Sequence, residues 1–213
     1  MMLKNYVIKK IRTNNMMENY NKSIRFSICT LVNDINMYKS MIQSFINAGF
    51  NKDICEYLYI DNTLSNTADA YKGINFLLSS AKGNYIIICH QDIILKYDSI
   101  KKLEDCIFEI EHIDPKWALL GNAGGISLCK RAVRITDPHG ADRRTSKFPV
   151  KVQSLDENFI LIRKSANLKA SEEINGFHLY GLDLCLQASL KGYSAYVIDF
   201  HLEHLSPGKV DNN

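Results

Sequence analysis

Tyr85-Ile86-Ile87-Ile88-Cys89 is a continuous apolar run that stops abruptly at His90-Gln91-Asp92. Five apolar residues without polar alternation mark a strand buried on both faces, as at the centre of a parallel sheet covered by helices on either side. In such sheets ligands sit outside the carboxyl ends of the strands. A central strand ending in His-Gln-Asp therefore sets two side chains of metal-ligating type at the edge where a ligand would lie.

Working outward, strand and helix signals alternate. Residues 24–32 read as a first buried strand closed by Asn33-Asp34. Asp34 is placed to cap a helix whose Tyr38, Met41, Ile42, Phe45 and Ile46 recur at helical spacing, with Gly49 to end it. Residues 54–60 form a second strand stopped by Asp61-Asn62, and a helix follows over 67–82 with Gly83 behind it. Beyond the central run, the spacing predicts a helix over 99–110 and strands at 117–120, 159–163 and 193–198, with a helix at 181–190. Gly121-Asn122-Ala123-Gly124-Gly125 reads as a tight turn or else a cradle for an anion, and 130–151 as a basic loop punctuated by Asp137-Pro138 and His139-Gly140. Repeated βα units predict an α/β three-layer sandwich with a mostly parallel sheet.

Length and composition bound the rest. The 213 residues suit one domain with a real core. Lys and Arg number 26 against 23 Asp and Glu, a net +3 that excludes histone-like and acidic-tail proteins. No apolar run reaches the ~18 residues needed to span a bilayer, and no signal-peptide core is expected near Met1. Six cysteines, at 29, 55, 89, 106, 129 and 185, are scattered without a CxxC pair. They are expected as buried, reduced thiols of a cytoplasmic protein rather than as a zinc or disulfide framework. Residues 1–22 form a basic arm in which Lys4, Lys9, Lys10, Arg12 and Lys22 oppose only Glu18. The arm is either a frayed extension or a segment lying on anionic lipid. The domain proper is expected over 23–206, with a tail over 207–213.

Several nucleotide chemistries drop out. No GxGxxG follows the first strand, no GxxxxGK[ST] occurs, and no GxSxG elbow is present. Thr30-Leu31-Val32-Asn33-Asp34 lacks the glycine that would let a pyrophosphate approach the backbone, and lacks the Gly-rich basic loop of a nucleotidyltransferase. Lys130, Arg131, Arg134, Arg143, Arg144, Lys147 and Lys151 have a single aromatic, Phe148, among them, too few for the interleaving that nucleic-acid binding uses, so that stretch reads as a solvated loop or as one that meets an anionic diphosphate. Asp92 remains as a candidate ligand for Mg2+ or Mn2+, a cation that would bridge the phosphates of a sugar nucleotide.

Five pieces then agree in order: Asp61-Asn62, a helix containing Gly73 and closing at Ala81-Lys82-Gly83, the apolar strand with His90-Gln91-Asp92, the segment Phe177-His178-Leu179-Tyr180-Gly181-Leu182-Asp183-Leu184-Cys185-Leu186-Gln187-Ala188, and Lys191-Gly192-Tyr193 leading by a strand to His201-Leu202-Glu203-His204. Together, over 24–206, they resemble the inverting family 2 glycosyltransferases of GT-A fold, in the subgroup with His-Gln-Asp in place of DxD. The resemblance implies a nucleotide-diphospho-sugar transferase fold. It also implies roles residue by residue: Thr30 and Asp61 toward the nucleotide, His90 near the ribose, Asp92 on the metal, and His204 completing the metal site with His201 as its rival.

The family's acidic base position falls on Gly181, which leaves Asp183 or Asp156 to take the acceptor proton. The missing Arg-Trp after Gln187 argues for single-sugar transfer over processive synthesis. The expected reaction is inverting, metal-assisted transfer of one sugar from a nucleotide-sugar, a UDP-sugar, to a glycan or lipid-linked glycan acceptor, at the cytoplasmic side and in peripheral contact with anionic membrane. The alternative is a catalytically silent relative that binds sugar nucleotide or glycan.

Overall fold

The computed structural model describes residues 8–10 and 23–206. In chain order its elements are β1 (Ile8–Lys10), β2 (Phe26–Val32), α1 (Ile35–Asn47), β3 (Cys55–Asp61), α2 (Ala70–Ser80), β4 (Tyr85–Cys89), β5 (Ile93–Ile94), α3 (Ile100–Ile113), β6 (Trp117–Gly121), β7 (Ala123–Ser127), β8 (Lys130–Asp137), β9 (Gly140–Arg144), β10 (Val150–Val152), β11 (Ser154–Leu155), β12 (Phe159–Arg163), α4 (Tyr180–Leu190), β13 (Ser194–Val197) and β14 (Leu202–His204). Apart from β1, which adds an antiparallel edge strand to β3, the arm expected over 1–22 lies outside the described residues, and so does the tail over 207–213.

The main sheet has the order β1-β3-β2-β4-β12-β6-β13-β10. Strands β2, β3, β4, β6 and β13 run one way, while β1, β12 and β10 run the other. The α/β sandwich with five of eight strands co-directional is thus as expected, with β12 wedged antiparallel between β4 and β6. Alternation along β4 divides the core. Ile86 and Ile88 pack toward α2 and α4 beside Ile74, Leu77 and Leu184. Ile87 and Cys89 pack toward α1 and α3 beside Met41, Phe45, Leu103 and Ile107. All four are essentially inaccessible to solvent, and each such isoleucine contributes roughly 1.5–3 kcal/mol of transfer free energy. That is the physical content of the apolar run: it must satisfy helices on both faces.

A smaller sheet, β11-β7-β8-β14-β5 with β9 on β8, flanks the C-terminal half. Two expectations change here. The basic stretch is a hairpin, β8 turning into β9, because Ala132 and Ile135 are buried and Arg134, Arg143 and Arg144 pair with aspartates. Arg134 Nε donates to Asp199 Oδ1 at 2.8 Å and Arg143 to Asp137 Oδ2 at 2.6 Å. The glycine-rich segment at 121–125 is no tight turn but the junction of β6 and β7. Of the cysteines, five are buried and free as expected, whereas Cys129, between β7 and β8, is exposed.

Candidate active site

The site is made where β4 ends. Beyond Cys89 the chain passes through His90-Gln91-Asp92 into β5, which pairs antiparallel with β14 so that His204 lies opposite Ile93. Leu205 N–H donates to the Asp92 carbonyl at 2.9 Å. This pairing carries His204 across more than a hundred residues to Asp92, with Nε2 3.3 Å from Asp92 Oδ1. His90 Nδ1 stands 3.9 Å from the same oxygen. Ligand atoms of all three residues fall within 4.8 Å of one another. Gln91, between the two, turns the other way: its Oε1 accepts from the N–H groups of Asn33 and Asp34, both at 3.0 Å, pinning the β2–α1 turn to the site.

The protonation of His90 follows from its neighbours. Tyr180 Oη lies 3.1 Å from the Glu157 carbonyl and 3.1 Å from His90 Nε2. A carbonyl only accepts, so the single phenolic proton goes to Glu157. Tyr180 therefore accepts from His90 Nε2–H, and the lone pair of the neutral ring is left on Nδ1, on the Asp92 side. A histidine whose far nitrogen is held by a hydrogen-bond partner is the arrangement that orients an imidazole for a metal.

Asp92 Oδ1 and His204 Nε2 are both buried and have no hydrogen-bond partner of acceptable geometry. Buried polar atoms in native proteins are nearly always satisfied, so two such atoms 3.3 Å apart, with no hydrogen bond of good geometry to either, are spaced to ligate one cation lying beside them. Burial opposes ionisation of Asp92, but His204, Ser206 and His90 outweigh it and hold the carboxyl at about 2. Burial pushes His90 down, keeping it in its neutral, ligating form. Burial lowers His204, but Asp92, with Asp156 and Asp137 beyond it, raises it on balance, so a cation bound there would displace the His204 proton.

A cavity of about 560 Å3 opens beside this cluster, walled by Leu31 and Asn33 from the end of β2, Asn62 after β3, Ile74 and Leu77 of α2, and Phe177, His178 and Tyr180 before and at the start of α4. Asn62 is buried and shapes the wall: its Oδ1 accepts from Thr67 N and Ala68 N, and its Nδ2 donates to Ala68 O.

Of the residues singled out in the sequence, His90, Asp92 and His204 come together, while His201 does not join them. Its Nε2 meets Thr136 Oγ1 at 2.9 Å and its ring stacks on Tyr97 at 3.9 Å. Thr30 does not reach the cavity, because strand alternation turns it toward α1, where its Oγ1 lies 3.9 Å from Met41 Sδ; Leu31 takes the wall. Asp61 ends β3 with its Oδ1 accepting from Thr63 N–H and Oγ1–H, and Asn62 rather than Asp61 lines the cavity. Asp183 is buried, with both oxygens engaged by Ser171, at 2.8 Å from its N–H and 2.6 Å from its Oγ. Asp156 is exposed in the β11–β12 turn, its Oδ1 accepting from Asn158. Sequence reasoning missed Glu157, Gln91 and Tyr180. The signal for Glu157 was its place beside Asp156, in a turn that pairing of β12 with β4 brings against His90, whose N–H donates to Asn158 O at 3.0 Å.

The chain is 39% identical over 197 residues to the protein called "ATP synthase subunits region ORF 6" of Fuscovulum blasticum, an alignment covering 90% of this chain and 79% of that one. The chain belongs to that protein's family. No protein-family model matches it. Among solved structures the likeness is one of fold. S. aureus TarS 1-349 in complex with UDP-GlcNAc aligns with a TM-score of 0.59 at 14% identity, over 87% of this chain and 60% of that one. The mannosyltransferase PcManGT of Pyrobaculum calidifontis, in complex with GDP-Man and Mn2+, aligns with a TM-score of 0.57 at 10% identity, over 87% and 58%. At these identities the shared property is the fold, that of glycosyltransferases of GT-A type. The chain spans about three-fifths of the length of those solved chains.

Proposed function

We propose that the protein is a glycosyltransferase that moves one sugar from a nucleotide-sugar, a UDP-sugar, to a glycan or lipid-linked glycan acceptor with inversion at the anomeric carbon. The observation that carries this reading is the pair of orphaned buried atoms, Asp92 Oδ1 and His204 Nε2, at the mouth of a cavity on the carboxyl side of the sheet. Solved proteins of the same fold hold UDP-GlcNAc, or GDP-Man with Mn2+. His90, Asp92 and His204 would hold a divalent cation, whose chemistry is to neutralise charge building on a departing diphosphate. Two imidazoles beside one carboxylate favour Mn2+ over the harder Mg2+. Tyr180 fixes His90, Gln91 holds the β2–α1 turn, and the Asn62 wall shapes the cavity for the donor. The acceptor approaches from the α4 side, and the protein acts at the cytoplasmic face, where the basic residues of 1–22 meet anionic lipid.

A silent relative that binds sugar nucleotide or glycan without turning it over is favoured by two observations: Gly181 stands where an acid is expected, and Ser171 engages both oxygens of Asp183. A thermal-shift titration with UDP, GDP and CDP, each with Mn2+ and with EDTA, tests the shared donor site. Ligand at 100 times its Kd adds about 2.7 kcal/mol. One nucleotide is expected to raise the midpoint with Mn2+ and not with EDTA, and Asp92→Ala is expected to remove that difference. No shift with any nucleotide would refute the donor site. Nucleotide release from a bound UDP-sugar separates the enzyme from the silent relative.

A further inference from the structure

We infer that Glu157 is the general base of the transfer, its side chain filling the space in front of Gly181 at the start of α4; the inference rests on the glycosyltransferase reading above. A Cβ built on Gly181 would stand 2.3 Å from the Leu155 carbonyl oxygen and 3.3 Å from Glu157 Cγ. No side chain fits at 181 without moving β11, and the volume beyond is already taken by Glu157. Its Oε1 accepts from Gly181 N–H at 3.4 Å, and its other oxygen lies 4.0 Å from Nδ1 of His178, which lines the cavity. The carboxylate is thus fixed to the first turn of α4 while its root lies on the β11–β12 turn.

The rival acids near α4 are otherwise committed. Asp92 belongs to the cation cluster, and Asp183 is tied at both oxygens to Ser171 behind the helix. Asp156 lies exposed with an oxygen accepting from Asn158. The Glu157 side chain keeps 18% of its exposure, which leaves a path for an acceptor hydroxyl. The same residue's carbonyl takes the Tyr180 proton and so orders His90, which couples the base rigidly to the cation cluster. Burial, with Asp156 alongside, raises its affinity for a proton against the opposing N–H of Gly181, as suits a group that must hold the proton once transfer is complete.

In the step, the acceptor O–H bond breaks and its proton passes to the Glu157 carboxylate. The freed electron pair forms the bond to the anomeric carbon, and the anomeric C–O bond to the diphosphate breaks with its pair leaving on the phosphate oxygen. The proton is returned to water when products depart.

The experiment uses the full chain with Mn2+ and a panel of UDP- and GDP-sugars, with water as acceptor, following nucleotide release. Affinity for the free nucleotide is measured by calorimetry. Glu157→Gln keeps an oxygen for the Gly181 N–H but cannot take a proton. It is expected to bind nucleotide within about 3-fold of the parent while kcat falls about 100-fold or more. Glu157→Ala is expected to regain turnover when formate is added, which a merely structural role would not allow. A Glu157→Gln variant with kcat within about 3-fold of the parent overturns the assignment, as does loss of nucleotide binding without formate rescue. If the parent itself releases no nucleotide from any sugar donor, the glycosyltransferase reading fails, and the base with it.

Discussion

At the scale of single residues, the chemistry of the site is decided by which nitrogen of His90 carries a proton. Tyr180 settles it through a bond that its own hydroxyl can make only as an acceptor, having given its proton to the Glu157 carbonyl. Tyr180→Phe removes that acceptor, leaves the His90 N–H without its partner and frees the ring to turn. Loss of such a supporting bond typically costs 10–100-fold in metal affinity. We expect Mn2+ titrated into the UDP-saturated variant to bind about 10-fold or more weakly than in the parent, with the fold intact. An unchanged Kd would show that Tyr180 does not orient the ligand.

Among elements, the α2–β4 connection illustrates how close packing dictates a glycine. Gly83 N–H donates to Ser27 Oγ at 2.8 Å, and Ser27 Oγ in turn donates to Glu56, whose carboxylate also receives Lys82 N–H. A Cβ at Gly83 would stand 2.6 Å from Ser27 N and 2.7 Å from Phe26 C, which are backbone atoms of β2. At Gly73, within α2, the nearest atom at 2.6 Å is the end of the Leu31 side chain, which can rotate away. Gly83→Ala is therefore expected to lower stability by about 1–3 kcal/mol through overpacking. Gly73→Ala is expected to cost clearly less, because a helix interior gains up to ~1 kcal/mol from alanine. Urea unfolding of the two variants checks the ordering, and equal losses would contradict it. α1 was more transparent: Asp34 Oδ1 accepts from Asn36 N and Met37 N, and Gly49 leaves the helix at φ +98°.

For the molecule as a whole, long-range pairs tie the last third of the chain back to earlier elements. Asp114, at the end of α3, is one such tie: its carboxylate accepts from Tyr196 Oη of β13 at 3.0 Å and from Lys116 N–H at 2.9 Å. Burial pushes its pKa up, yet hydrogen bonds from Ser194, Lys116 and Tyr196 bring it below the ordinary aspartate value. A carboxyl depressed in the folded state stabilises fully above its unfolded pKa of ~3.9 and ceases to as pH falls through the folded value. The stability gap between the parent and Asp114→Asn, read from urea midpoints, should therefore be constant from pH 7 to about 5 and shrink below pH 4. A gap that widened on acidification would reverse the sign and refute the tie.

The apolar run before His90 and the capped, amphipathic α1 are legible in the sequence, because burial on two faces and helix capping are local demands written in consecutive residues. Asp92 was legible for the same reason, as an acid at the abrupt end of a buried strand. What the sequence could not show is which side chains meet. His204 and His201 are three residues apart on chemically similar ground, and only the pairing of β14 with β5 turns one toward Asp92 and leaves the other stacked on Tyr97. Thr30 and Leu31 are neighbours, and the pleat of β2 alone decides which faces the cavity. The basic stretch at 130–151 read as a loop because its charges mask two buried apolar positions, Ala132 and Ile135, that favour a strand only once β7 and β14 flank them. Glu157 reaches Gly181 across 24 positions of chain through the packing of α4 on β11. Local order follows from local chemistry; the site depends on contacts between distant segments, and those exist only after the sheet has assembled.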